Sequence, residues 1–168
     1  MSASLPARAR VITVSDSRGP AEDRSGPVLV ELLAGHGAEV VGRTVIPDER
    51  PAIEAAIVAA CDDADLVLTC GGTGLAPRDV TPEATLAVLD RLAPGFGEAM
   101  RAAAMAASPH GMLSRAVAGT RGRTLVVNLP GSPRACRESF AVIAPALAHA
   151  LGLLSGGPAR AGHMEPWA

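Results

Sequence analysis

A chain of 168 residues is long enough to bury a full core without disulfide or metal staples, and its length fits one domain. The formal net charge is −2, with no tyrosine, two phenylalanines and one tryptophan. That argues against a nucleic-acid surface, which needs a basic patch or aromatic stacking platforms. All fifteen basic residues are arginine, so a Walker lysine, Schiff-base chemistry and a lysine general base are excluded together.

Hydrophobic residues make up 48% but are spread along the chain, and no stretch reaches the uncharged span of about 20 residues that a membrane helix needs. The first residues lack the apolar core of a signal peptide, and a soluble, cytoplasmic protein is expected. Cys61, Cys70 and Cys136 are odd in number and without CxxC spacing, so they read as core thiols rather than a disulfide framework or zinc site. His36, His110, His149 and His163 show no metal-ligand spacing and read as surface or loop residues.

Residues 1–9 read as an N-terminal extension to a domain spanning 10–154. Arg10 leads into a buried strand, Val11 to Val14, which Ser15-Asp16-Ser17 ends as a turn. A helix from Pro27 to Ala34, a strand from Val40 to Ile46 and a helix from Pro51 to Cys61 follow. Next come a strand from Leu66 to Thr69, a helix from Pro82 to Leu92 and another from Gly95 to Ala107. Between Ser108 and Gly122 periodicity is poor and a hairpin or short strand pair fits; a strand from Leu125 to Asn128 then leads into a helix from Pro133 to Leu154. Prolines stand near the starts of these helices, with Ser25, Thr81 and Ser132 as capping hydroxyls. Residues 155–168, Gly-Gly-Pro and then His-Met-Glu-Pro-Trp, have linker composition and are expected to be mobile. Apolar strands alternating with helices predict a three-layer α/β/α fold with a mostly parallel sheet.

Ligands bind such sheets outside the strand carboxyl ends, at a switch in strand order. That rule gathers the loops at Ser15 to Ser25, Ile46-Pro47-Asp48-Glu49, Gly71 to Thr81 and Asn128-Leu129-Pro130-Gly131-Ser132. The loop Gly71-Gly72-Thr73-Gly74 lets backbone amides approach an anion closely, ahead of a helix N-terminus. It is neither a Walker loop nor a Rossmann fingerprint. Asp79 in the same loop, with Asp48 nearby, would repel a phosphate unless a divalent cation lay between them, which suggests metal-assisted phosphoryl or nucleotidyl transfer. Each aspartate is equally suited to capping the helix that follows it, and Asn128 to Gly131 to a strand-ending turn. Arg78 and Arg115 match phosphate geometry, with structural ion pairs as the equal alternative.

Gly71-Gly72-Thr73-Gly74 with Pro77-Arg78-Asp79-Val80-Thr81-Pro82-Glu83, together with Ile46-Pro47-Asp48-Glu49, Leu113-Ser114-Arg115 and Asn128-Leu129-Pro130-Gly131-Ser132-Pro133, resembles the MogA/MoaB family of molybdenum cofactor biosynthesis. Its relatives include the G domains of gephyrin and Cnx proteins, and the likeness runs in order over roughly residues 10 to 155. The resemblance implies Mg-dependent transfer of AMP from ATP to molybdopterin with release of pyrophosphate. It also implies assembly as trimers, sometimes hexamers, and a separate molybdate-insertion protein downstream. By position, Asp48 and Asp79 match the acidic pair tied to catalysis and Mg²⁺. Gly71, Gly72, Thr73 and Gly74 match the ligand loop, while Ser114, Asn128, Pro130, Gly131 and Ser132 fall in segments lining the pterin and nucleotide site. A carrier or assembly protein of the MoaB type, binding without turnover, is the alternative.

Overall fold

The computed structural model describes residues 5–156. Its elements run β1 (Arg8–Val14), α1 (Ser25–Gly35), β2 (Glu39–Ile46), α2 (Arg50–Ala60), β3 (Leu66–Cys70), α3 (Thr81–Val88), β4 (Arg91–Leu92), α4 (Pro94–Ala107), β5 (Ala118–Arg121), β6 (Thr124–Leu129) and α5 (Pro133–Leu154). A short 3-10 turn, Pro109–Leu113, separates α4 from β5.

The strands form one sheet in the order β2-β1-β3-β6-β5-β4. β2, β1, β3 and β6 are parallel, so all four carboxyl ends share one edge, whereas β5 is antiparallel to β6 and β4 to β5. From β1 the chain winds outward to β2 and then crosses back to β3 on the other side of β1. The switch in winding therefore lies between β1 and β3, where such sheets bind ligands.

Alternating side chains divide the core by face, as the two-residue period of a strand requires. Val11, Leu66, Leu68, Leu125 and Val127 pack against α1 and α5 through Leu29, Leu33, Phe140, Ile143 and Leu147. Ile12, Val14, Val67 and Val126 pack against Ile53 and Ile57 of α2 and Ala84 of α3. This is the three-layer arrangement that the alternation of strands and helices predicts. With 22 residues and a mean hydropathy of 1.2 over its most apolar 18, α5 has the length and composition of a membrane span. One stripe of it, Cys136, Phe140, Ile143, Leu147 and Leu151, is nevertheless committed to the core.

Three expectations are corrected. β1 begins at Arg8, and Leu5 is buried with its amide donating to the His36 carbonyl at 2.7 Å; the fold thus reaches into the segment read as an extension. The helix expected from Pro82 to Leu92 stops at Val88. Leu89 is extended, the Asp90 amide donates to the Thr120 carbonyl at 2.8 Å, and Arg91 and Leu92 pair with Thr120 and Gly119. Pairing with a distant strand overrides a locally helical pattern there. Within Ser108 to Gly122 lies one strand, β5, which turns back on β6 through Gly122, at φ 56°. The expectation for the C-terminal tail, beyond Ser155 and Gly156, lies outside the described residues.

Candidate functional site at the strand carboxyl ends

The glycine-rich loop leaves β3 through two residues in the left-handed region, Gly71 at φ 100° and Gly72 at φ 64°. Its glycines are required for space as well as conformation. A Cβ on Gly71 would lie 2.3 Å from the Val14 carbonyl oxygen, and one on Gly72 would lie 2.9 Å from Asp48 Oδ1. A Cβ on Gly74 would lie 2.8 Å from Asp79 Oδ2. The two carboxylates thus occupy the room that missing side chains leave on one short stretch of loop.

Neither aspartate caps a helix. Asp79 Oδ2 accepts from the Ala76 amide at 3.0 Å, within the loop, and Asp48 Oδ2 accepts from the Asp16 amide at 2.8 Å. Helices α2 and α3 start without a side-chain cap. Of the three hydroxyls expected as caps, Ser132 alone acts so, accepting from the Ala135 amide at 3.2 Å. Thr81 donates to the Gly71 carbonyl at 2.9 Å and Ser25 to the Gly131 carbonyl at 2.8 Å, so both tie rim loops together. Helix α1 is held instead by Asp23, whose Oδ1 accepts from the Ser25 and Gly26 amides at 3.0 Å each.

Charge is concentrated where the loops after β1, β2 and β3 meet. Arg78 Nε donates to Asp16 Oδ2 at 2.6 Å. Together with the Asp48 amide bond, this holds the Asp16 carboxyl below its ordinary value. Asp48 shifts the other way: burial raises it, and the charges of Asp16 and Asp79 add to that against the Asp16 amide and Arg78. Asp48 therefore carries negative charge in a setting that resists it. Asp16, read from sequence as a turn residue, is the missed member of this group. Its position on the rim was visible, but its pairing with a loop 32 residues away was not.

Arg115 crosses to the same loop from the segment after the 3-10 turn. Its amide donates to the Thr73 carbonyl at 2.9 Å, Nε to the Gly74 carbonyl at 2.7 Å and Nη2 to the Asp79 carbonyl at 2.6 Å, while Nη1 pairs with Glu83. Of the two roles open to it, the structural ion pair is the one present. Ser114 precedes it, with Oγ 3.4 Å from the Ala116 amide that donates to it.

The turn after β6 closes the rim. A Cβ on Gly131 would lie 3.2 Å from Gly71 Cα, and the Pro130 carbonyl accepts from Cys136 Sγ at 3.0 Å. Asn128, expected to line the ligand site, is instead sealed in the core at 0% exposure. Its Nδ2 donates to Thr69 Oγ1 and Thr85 Oγ1 at 2.9 Å each, and Oδ1 accepts from the Val117 amide at 3.3 Å. Buried amides need such partners, and Asn128 spends its capacity on the scaffold.

The carbonyls of Gly71 to Gly74 all accept from protein donors. The amides of Gly72, Thr73, Gly74 and Leu75 donate to no protein acceptor among the described residues. Consecutive free amides form an anion-binding concavity. A separate groove beside β2, lined by Arg10, Ile12, Thr44 and Ala56, is mainly apolar, and its Arg10 is paired with Asp63 at 2.6 Å.

Fold and site together define a class: an open-sheet α/β protein with a glycine-rich loop of free amides and two loop aspartates at its topological switch point. Comparison with known proteins narrows this. Residues 10–149 match the family described as a probable molybdopterin binding domain. The chain is 40% identical to the molybdopterin adenylyltransferase of Helicobacter pylori over 152 residues, covering 87% of this chain and 86% of that protein. It is 41% identical to molybdenum cofactor biosynthesis protein B of Bacillus cereus over 147 residues, 84% of this chain and 87% of that one. The crystal structure of the molybdopterin biosynthesis enzyme MoaB from Thermus thermophilus superimposes with a TM-score of 0.84 at 47% identity, covering 92% of this chain and 99% of the other. The chain belongs to the MogA/MoaB family of molybdopterin-binding proteins of molybdenum cofactor biosynthesis.

Proposed function

We propose that the chain is a molybdopterin adenylyltransferase, transferring AMP from ATP to the terminal phosphate of molybdopterin and releasing pyrophosphate. The observation that carries this reading is the seating of Asp48 and Asp79 in the spaces left by Gly72 and Gly74, beside a run of free amides. An oxygen of the molybdopterin phosphate attacks the α-phosphorus of ATP, and the bond to pyrophosphate breaks. Because that nucleophile is already ionised, no strong general base is required, in keeping with a chain without lysine. The protein's task is to align two anions and bear their charge.

The donor set suits a divalent cation, Mg²⁺. Asp48 and Asp79 offer hard carboxylate oxygens, the kind of donor that holds such an ion together with substrate phosphates. When bound, the cation neutralises charge on the polyphosphate. Arg78 lies exposed on the rim with its Nε held by Asp16, and Arg18 and Arg24 of the loop after β1 are exposed as well; these guanidiniums offer positive charge to phosphates. Pro130, Gly131 and Ser132 form the opposite lip beside Gly71, and Ser114 borders Thr73 through Arg115. With few aromatics, the pterin and adenine are held by backbone and small side chains.

Assembly as a homotrimer, sometimes doubled to a hexamer, follows from the family resemblance. The exposed Leu92, Met105, Met112 and Leu113 are the apolar surface such an assembly would bury; light scattering that gives a monomer would reject it. Three free thiols suit a reducing cytoplasm, and the adenylylated product would pass to a molybdate-insertion protein. The decisive assay supplies molybdopterin, ATP and Mg²⁺ to the purified protein. Release of pyrophosphate with adenylylated product is expected, whereas tight binding without release means a non-catalytic carrier.

A further inference from the structure

The carbonyls of the glycine-rich loop are held in sequence. The Gly71 carbonyl accepts from Thr81 Oγ1 at 2.9 Å and that of Gly72 from the Thr81 amide at 3.1 Å. The Thr73 carbonyl accepts from the Arg115 amide at 2.9 Å and that of Gly74 from Arg115 Nε at 2.7 Å. In a trans peptide the N–H lies opposite the C=O. Each held carbonyl therefore turns the following amide away from its holder. The amides so turned, Gly72 to Leu75, are the ones left without a protein acceptor.

Arg115 does more than hold carbonyls of the amide run. Nη2 takes the Asp79 carbonyl at 2.6 Å, so one guanidinium clasps both ends of the arc from Gly74 to Asp79. Glu83, in the first turn of α3, anchors it by pairing with Nη1. All three guanidinium nitrogens are thereby engaged with the protein.

We propose that Arg115, anchored by Glu83, is a positioning residue and not a phosphate ligand. Its guanidinium sets the peptide plane that presents the Leu75 amide and fixes the backbone from which the Asp79 carboxylate projects, while its own amide holds the plane that presents the Gly74 amide. This rests on the adenylyltransferase reading for its catalytic consequence, while the orientation of the loop stands independently. A lysine cannot substitute, because one ammonium is a point charge and cannot span acceptors at both ends of the arc.

The test compares Arg115→Lys, Arg115→Ala and Glu83→Gln for turnover, for KM with ATP and for hydrogen exchange of the Ala76 and Asp79 amides, which are the hydrogen-bonded ones within the clasped arc. Positioning predicts that Lys and Ala variants lose kcat alike, by about 10²-fold as for a small misplacement of reacting groups. It further predicts KM within about twofold and faster exchange of those two amides, with Glu83→Gln intermediate. A direct phosphate contact predicts instead that Lys rescues turnover while Ala raises KM for ATP; that result overturns the proposal. So does a lowered melting temperature with normal kcat, which marks a purely structural pair. If the wild type releases no pyrophosphate, the adenylyltransferase reading has failed, and exchange decides this one. Faster loop exchange in Arg115→Lys at unchanged global stability upholds the clasp, and a wild-type pattern overturns it.

Discussion

Asp16 and Asp48 hold each other by reciprocal hydrogen bonds: the Asp16 amide donates to Asp48 Oδ2 at 2.8 Å, and the Asp48 amide donates to Asp16 Oδ1 at 2.8 Å. The exchange staples the loop after β1 to the loop after β2. It brings two like charges together at the switch point, and Arg78 compensates the Asp16 side of the pair at 2.6 Å. Asp48 keeps Oδ1 toward Gly72, facing the glycine-rich loop.

Replacing Asp48 by Asn keeps an oxygen for the Asp16 amide and removes one of the crowded charges. The fold is expected to be as stable as the wild type, or more so by a few degrees in Tm for a gain of about 1 kcal/mol. Turnover should fall by about 10²-fold or more, because a carboxylate that bears metal or phosphate charge is lost. Calorimetry beside a pyrophosphate assay reads both. A variant that melts early and turns over normally would mean that Asp48 serves the scaffold alone.

Asp79→Asn separates catalysis from capping. The Asn oxygen can still accept from the Ala76 amide, which Asp79 now does at 3.0 Å, and α3 has no side-chain cap to lose. Unchanged melting with turnover reduced by about 10²-fold is expected. A fall of about 1 kcal/mol in stability with full activity is the outcome that a helix cap would produce.

Two glycine substitutions should behave differently. At Gly72, φ is 64° and a Cβ would sit 2.3 Å from Thr81 Oγ1. Gly72→Ala should therefore cost about 1–3 kcal/mol of stability as well as activity. Gly74 lacks a positive φ among the described residues, and its Cβ would meet the Asp79 carboxylate at 2.8 Å. Gly74→Ala should lower kcat with little change in chemical denaturation. Equal destabilisation by the two would contradict this division.

Asp23 supplies the pH dependence. Its side chain is fully buried and accepts from the Ser25 and Gly26 amides, from Thr13 Oγ1 at 2.8 Å and from Arg43 at 2.6 Å. Burial pushes its carboxyl up, but the Gly26 amide, Thr13, Arg43 and the Ser25 amide together bring it below its ordinary value. A lowered folded pKa contributes stability above the unfolded value, about 3.9, and loses it as pH falls through the folded value. Asp23→Ala should cost about 3 kcal/mol or more at pH 7, since it strands Arg43 and the two amides. The gap from wild type should narrow below about pH 4. Urea melts at pH 7 and pH 3 check the sign; a gap that widens in acid would refute it.

Much of this protein is legible along the chain because it depends on local chemistry. Strand and helix periodicity, prolines at helix starts and the run Gly71 to Gly74 report on their own segments, so the order of elements and the rim of the sheet follow from them. The absence of lysine is a fact of composition that no fold can alter. Partnership is different, because it depends on which distant segments the sheet brings together. Leu92 becomes an edge strand by meeting Gly119, Asn128 is drawn inward by Thr69 and Thr85, and Arg115 is taken up by Gly74, Asp79 and Glu83. Residue type determined that a carboxylate, an arginine or an amide was available; the tertiary structure decided which were already occupied and which were left to meet a ligand. A hydrogen bond spends a group's capacity once, and only the folded chain shows where.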